Sequence, residues 1–190
     1  MEEARLARDM IKHEQTEHLG ETTMRRGILA VVCALMIPAI AFPARAADEK
    51  IPPQLIVETV KAAVELINQK GEEAFPELSR QDSKYYKGDL YVFTYNMDGV
   101  IIQHAMPHMV GTNMMNVKDQ KGVCMGCDFV RIAKEEGSGW SEYHWPKPTT
   151  KELAVKVAYI MKVPGKEMFV GAGAYDITKE EAEKAMGTTK

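Results

Sequence analysis

The feature that most narrows the choice of fold is a change of period partway along the chain. Leu55, Ile56, Thr59, Val60, Ala63, Val64, Leu66 and Ile67 recur at helical spacing behind Pro52 and Pro53, which predicts one long amphipathic helix over residues 53–68. Gly71 interrupts it, residues 72–78 read as a second short helical piece, and residues 79–88 as a polar linker. From Asp89 onward the spacing shortens. Residues 90–95 are rich in aromatic and β-branched side chains, residues 96–99 (Asn-Met-Asp-Gly) supply turn chemistry, and residues 100–104 form a returning strand. Residues 128–136 are expected to be helical and to stop at Gly137-Ser138-Gly139. Strands are expected at 140–145, 154–163 and 168–175, with a short charged helix over 178–190. No strand-helix-strand alternation repeats, so the expected fold class is α+β, an antiparallel sheet with helices segregated to one side.

The N-terminal quarter does not take part in this pattern. Arg25 and Arg26 precede an apolar run from Ile28 to Phe42 that contains Pro38 and leads through Pro43 into Ala44-Arg45-Ala46, the layout of an export signal cut after Ala46. An uncut membrane anchor is the alternative reading of this run. Residues 1–23 are polar and of mixed charge, which makes Met24 the expected initiator, 24–46 the signal and 47–190 a single domain in the periplasm or outside the cell. Cys33 sits inside the apolar run without a lipoprotein processing pattern. No second apolar span and no output module is legible after residue 46, so a separate membrane-bound sensor kinase or chemoreceptor is the expected signalling partner. A net charge of -3 leaves no positive excess for a nucleic-acid backbone. Neither a Gly-x-Ser-x-Gly elbow nor a His-Glu-x-x-His pair is present, and no phosphate-binding glycine loop opens a helix, so no enzymatic activity is expected.

An ordered series of short motifs runs through the chain after residue 70. It comprises Gly71-x-x-Ala74-Phe75, Tyr91-Val92-Phe93 leading to Asp98-Gly99 and His104, Val110-Gly111-x-Asn113, Ala133-x-x-x-Gly137-x-Gly139-Trp140, Tyr143-x-Trp145-Pro146-x-Pro148, and Val170-Gly171-x-Gly173-x-Tyr175. In this order and spacing the series resembles the single Cache domains (type 2) found outside the membrane in bacterial chemoreceptors and sensor kinases, here in a standalone secreted form. The resemblance implies a PAS-like antiparallel sheet with a long N-terminal helix and short flanking helices. It also implies a ligand pocket between the sheet and the irregular middle of the chain, with binding rather than catalysis. The implied ligands are short organic acids such as acetate, propionate, lactate or pyruvate, with no cofactor.

A carboxylate taken out of water needs a cation or several donors. Lys156 shares a strand face with Ala154 and Ala158, small neighbours over which it can project, and a lysine recurs at this place in the Cache pattern; a solvent-facing strand lysine is the plain alternative. Tyr143 and Trp145 fall on one face and His144 on the other, so the two aromatics can wall a pocket or simply pack in a core. His104 ends a strand just before the irregular run. With Phe93, Tyr95 and Met109 these residues make up the candidate ligand-binding set. His104 and His108 lack a third metal ligand at convincing spacing, and a methionine-rich copper site is a minor alternative, so no metal is assigned. Cys124-Met125-Gly126-Cys127 is followed by Asp128, so the histidine of a c-type haem attachment is missing. A local disulfide is the simplest reading in an oxidising compartment, with a thiol-disulfide redox centre as the competing one. A third class, an interaction subunit with no small ligand, stays open at this point.

Overall fold

Pro53 presets the backbone dihedral of a first helical turn, and the chain behind it offers an unbroken apolar stripe. The computed structural model, which describes residues 50–187, accordingly begins with helix α1 (Pro53–Lys70). Its inward face is Ile56, Val57, Thr59, Val60, Ala63, Val64 and Ile67. Gly71 ends it at φ 63°, a left-handed conformation that glycine takes without a side-chain clash, and donates its N–H to the carbonyl of Ile67. A 3-10 turn (Gly71–Ala74) and a short helix α2 (Phe75–Ser79) complete the helical opening.

The rest is built on a six-stranded antiparallel sheet. The strands are β1 (Tyr86–Lys87), β2 (Leu90–Asn96), β3 (Ile101–His104), β4 (Ser138–Pro146), β5 (Leu153–Lys162) and β6 (Met168–Tyr175). They lie in the order β1-β2-β6-β5-β4, with β3 also paired to β2. Helix α3 (Met125–Arg131), continued by a π-helical turn (Ile132–Glu136), precedes β4, and helix α4 (Lys179–Ala185) follows β6. Thr178 and Glu181 cap α4 reciprocally, each side chain accepting from the other residue's backbone N–H.

Because side chains alternate along a strand, the sheet has two apolar faces. Val92, Val157, Val170, Ala172 and Ala174 pack against α1. Tyr91, Phe93, Tyr95, Tyr143, Ala158, Ile160 and Phe169 pack instead against the irregular segment that runs from Ala105 to α3, through Met109, Met114, Met125 and Phe129. Each fully buried aliphatic or aromatic side chain contributes about 1.5–3 kcal/mol, so both layers are needed to hold the sheet.

The expected class, order and direction of the elements are those observed, but the helices are not segregated to one side: α1 packs on one face of the sheet and α3 on the other, because both faces carry apolar side chains that must be covered. Three local expectations change. The stretch read as a polar linker carries β1 and the buried Tyr85, anchored because Val92 donates its N–H to the Tyr85 carbonyl. The helix read as starting at Asp128 begins at Met125, with Cys124 as its cap. Gly137 alone stops the helical run, at φ 74°, and Ser138 and Gly139 already belong to β4. The predicted export signal, the extension before it and Cys33 lie outside the described residues.

Glycine serves a second purpose in β6. A Cβ on Gly173 would sit 2.6 Å from the Val157 carbonyl oxygen and 2.9 Å from the Cα of Ala158. The neighbour is backbone and cannot swing aside. Gly173→Ala should therefore cost about 2 kcal/mol, the usual penalty for forcing a methyl into a closed space. A urea titration checks this, and an unchanged midpoint would mean that β5 and β6 can part without loss.

Candidate functional site

Antiparallel register places Tyr143 of β4 opposite Lys156 of β5, and Lys156 opposite Tyr175 of β6. One step along, the corresponding row is Ser141, Ala158 and Gly173. The next is Gly139, Ile160 and Gly171, extended through Phe93 on β2 to His104 on β3. Small residues thus fill the row next to Tyr143, Lys156 and Tyr175. Gly171 lets the Phe93 ring lie across β6, since a Cβ there would come within 2.3 Å of that ring.

Lys156 is completely buried in this setting. Its Nζ lies 3.6 Å from the centroid of the Tyr91 ring, 5.4 Å from that of Tyr175 and 5.9 Å from that of Phe93. Among the described residues it is the one buried side-chain nitrogen or oxygen without a hydrogen-bond partner. Burial drives the amine well below the ordinary lysine value, and the carboxylate of Asp89 offsets this in part. The aromatic faces favour a cation but cannot replace the hydrogen bonds that an ammonium loses on leaving water.

The surrounding groups are poor partners for charge. His104 is buried, its ring edge-on to Tyr91 at 5.2 Å. The Met106 N–H donates to its Nδ1, which places the proton of the neutral ring on Nε2. Burial first, and then the positive charge of Lys156, push its pKa down to about 3. Burial likewise raises the phenols of Tyr91, Tyr143 and Tyr175 above their ordinary value, so all three remain hydrogen-bond donors. Trp145 and Tyr175 are the polar neighbours of the Tyr91 hydroxyl, and the Tyr175 hydroxyl donates to the carbonyl of Pro146 at 2.8 Å. The face therefore presents one amine, several neutral donors and no carboxylate hydrogen-bonded to the amine, a constellation suited to a small anion.

Lys156, Tyr143, Trp145, Phe93 and His104 are brought together on this face. Tyr95 lies further along, between Phe93, Phe129 and Phe169, and Met109 belongs to the segment that covers the face. Tyr91, Tyr175 and Phe129 are neighbours outside the candidate ligand-binding set read from the sequence, although both tyrosines belong to its motif series. Tyr91 shares a strand face with Phe93, so alternation alone could have found it, whereas Tyr175 needed the β5–β6 register. His144 points away and instead holds the loop before α3. Asp119 accepts from the His144 backbone N–H at 3.1 Å, lies 3.0 Å from its Nδ1, and also accepts from the N–H groups of Lys121 and Val123. Burial works against ionisation of Asp119, but these donors outweigh it and its pKa is lowered.

Cys124 and Cys127 are joined by a disulfide at the start of α3. The loop it closes is so short that chain entropy assigns it about 2 kcal/mol of stabilisation. Among the described residues, no three His, Cys, Asp or Glu side chains are grouped to hold a metal ion. No helix among them is long and apolar enough to cross a membrane.

This architecture has relatives. The chain is 31% identical over 91 residues to the sensor histidine kinase MctS of Rhizobium johnstonii, covering 47% of this chain and 20% of that protein. It is 27% identical over 142 residues to the methyl-accepting chemotaxis protein McpP of Pseudomonas putida, covering 68% of this chain and 26% of that one. It therefore spans only a fifth to a quarter of these curated relatives. Among solved structures, a methyl-accepting chemotaxis protein from Vibrio parahaemolyticus superposes with a TM-score of 0.56 at 22% identity, over 64% of this chain and 86% of that one. A Cache chemosensory domain described for carboxylic acid recognition superposes with a TM-score of 0.59 at 21% identity, over 65% of this chain and 92% of that one. At these identities the structural likeness speaks to fold. The family model described as Cache domain matches residues 59–188, and the chain belongs to the Cache domain family.

Proposed function

We propose that this Cache domain is a sensor module of the periplasm that captures a short organic carboxylate at Lys156 and passes its occupancy to a membrane-bound receptor or kinase. The observation that carries the reading is the buried Nζ of Lys156, which has no hydrogen-bond partner within its aromatic surround and feels the carboxylate of Asp89 only through space. An anion of two or three carbons would supply the missing hydrogen bonds and charge, while its apolar end would lie over Ala158 and Gly173 among Phe93, Tyr143 and Tyr175. One structural neighbour, a Cache chemosensory domain described for carboxylic acid recognition, supports the same ligand class. The kinase and chemoreceptor relatives support a signalling role.

Binding should also move a proton. In the free domain the amine is held well below its ordinary pKa, and a bound carboxylate raises it again by stabilising the ammonium. Where the free amine is neutral, complex formation then takes up one proton, and affinity falls as pH rises through the free-state pKa. Titration calorimetry with acetate, propionate, lactate and pyruvate at pH 8, in phosphate and again in Tris, is the test. Observed heats should differ by the difference between the ionisation enthalpies of the two buffers. Saturation at about a hundred times Kd should stabilise the fold by about 2.7 kcal/mol. Identical heats in both buffers, or no thermal shift with any of the four acids, would remove the proposal.

A further inference from the structure

The disulfide lies where two parts of the segment covering Lys156 pack tightly against each other. Cys124 caps α3, and between the two cysteines Gly126 packs so closely that a Cβ there would be 2.5 Å from the Met114 carbonyl oxygen. Met125 and Met114 are buried on either side of this contact. Further along the same helix Phe129 stacks on Phe93 at 5.6 Å and meets Tyr143 edge-on at 5.2 Å. Tyr143 is the cross-strand partner of Lys156. A continuous chain of packed groups therefore runs from the cysteines to the amine.

The bond is also placed to be opened. Both cysteines are half-buried rather than enclosed, and they follow the exposed Gly122 and Val123. The closed loop is too short to resist reduction through chain entropy. The Cys127 N–H already faces the Cys124 sulfur at 3.3 Å, a donor in position to stabilise a departing thiolate. We propose that Cys124–Cys127 is a thiol-exchange site, taking small thiols or dithiols as its reductants, and that reducing it loosens the cover over Lys156 and weakens carboxylate capture.

In the first step a reductant thiolate attacks the Cys127 sulfur, the S–S bond breaks, and its electron pair leaves on Cys124. A second thiolate then attacks the reductant's sulfur in the mixed disulfide and releases Cys127. The protein gains two electrons and two protons as two thiols, and the reductant leaves as its own disulfide. Reoxidation by a disulfide reverses the sequence.

The affinity arm rests on carboxylate binding at Lys156, whereas thiol titration and amide exchange need no ligand. The experiment equilibrates the full chain in buffers of reduced and oxidised glutathione, counts free thiols by alkylation and mass spectrometry, and follows amide exchange and acetate affinity at each poise. The expected result is half-reduction within the glutathione range and about tenfold faster exchange over residues 105–131 with α1 and β5 unchanged. Acetate binding should be about tenfold weaker in the reduced form, within the usual range of coupling between sites. Cys124→Ser/Cys127→Ser should match the reduced protein and ignore the redox poise. A bond that stays closed in glutathione and yields only to excess dithiothreitol overturns the inference, as does amide exchange that is equal in the two redox states. So does unchanged acetate affinity after full reduction of a protein whose oxidised form binds acetate. If the oxidised form binds no carboxylate, the ligand reading fails, and thiol titration with amide exchange alone decides the redox site.

Discussion

Lys156→Met is expected to lower affinity for short carboxylates by at least about a hundredfold while leaving the free domain as stable as the wild type or more so. The two halves of this result have one cause. Lys156 is fully buried with no protein hydrogen bond at Nζ, so the free fold gains little from its polar end and bears the cost of its desolvation. Methionine matches the length of the side chain and keeps the packing against Tyr91 and Phe93, but it offers neither donor nor charge to an anion.

The pH dependence supplies a second readout. Because the folded-state pKa is lowered, the unfolded chain binds one more proton between that value and about 10.5, so this group makes stability rise with pH across that window. The slope should vanish in Lys156→Met. Calorimetric titration and urea melts at several pH values check both statements. Retained affinity would displace Lys156 from the site, and a large loss of stability would mean that the amine has a structural partner.

His104 should dominate the acid side of the stability curve. Its pKa is about 3 in the fold against 6.5 as the ordinary value, so between these the unfolded state holds the extra proton. The contribution is complete above pH 6.5 and is lost as pH falls through 3. A shift of this size is worth up to about 5 kcal/mol. Protonation would bring a second cation beside Lys156 and remove the acceptor that Nδ1 offers to the Met106 N–H. His104→Asn keeps an acceptor near that N–H and does not titrate, so its stability should be nearly flat where the wild type falls by about 1.4 kcal/mol per pH unit. Chemical denaturation from pH 7 to pH 3 measures the difference. Parallel curves for the two proteins would show that His104 is not held neutral by the fold.

How much of this was legible in the chain depends on the range over which each signal acts. Helix α1 was readable because Ile56, Val60, Ala63 and Ile67 repeat at helical spacing and Pro53 and Gly71 bracket them. Strand β2 was readable because residues 90–95 are rich in aromatic and β-branched side chains and turn residues follow them. The two-residue β1 was not, since its pairing depends on β2 rather than on any periodicity of its own. The start of α3 was missed by three residues because its cap is a cysteine in a disulfide rather than a serine, threonine or aspartate.

Sequence by itself determined the element types, the antiparallel class, the Cache resemblance and the common strand face of Lys156, Ala154 and Ala158. The resemblance rests on the ordered series of motifs; the rest follow from backbone geometry and short-range order, which period and turn residues encode directly. Only the tertiary structure decided that Lys156 is buried, that Tyr143 and Tyr175 flank it, that Tyr91 lies under its amine, and that α3 carries Phe129 onto the same cluster. These neighbours come from strands and a helix far apart in the chain. Their meeting depends on strand register and on how the covering segment packs, and both are set by the joint burial of many side chains rather than by any local stretch.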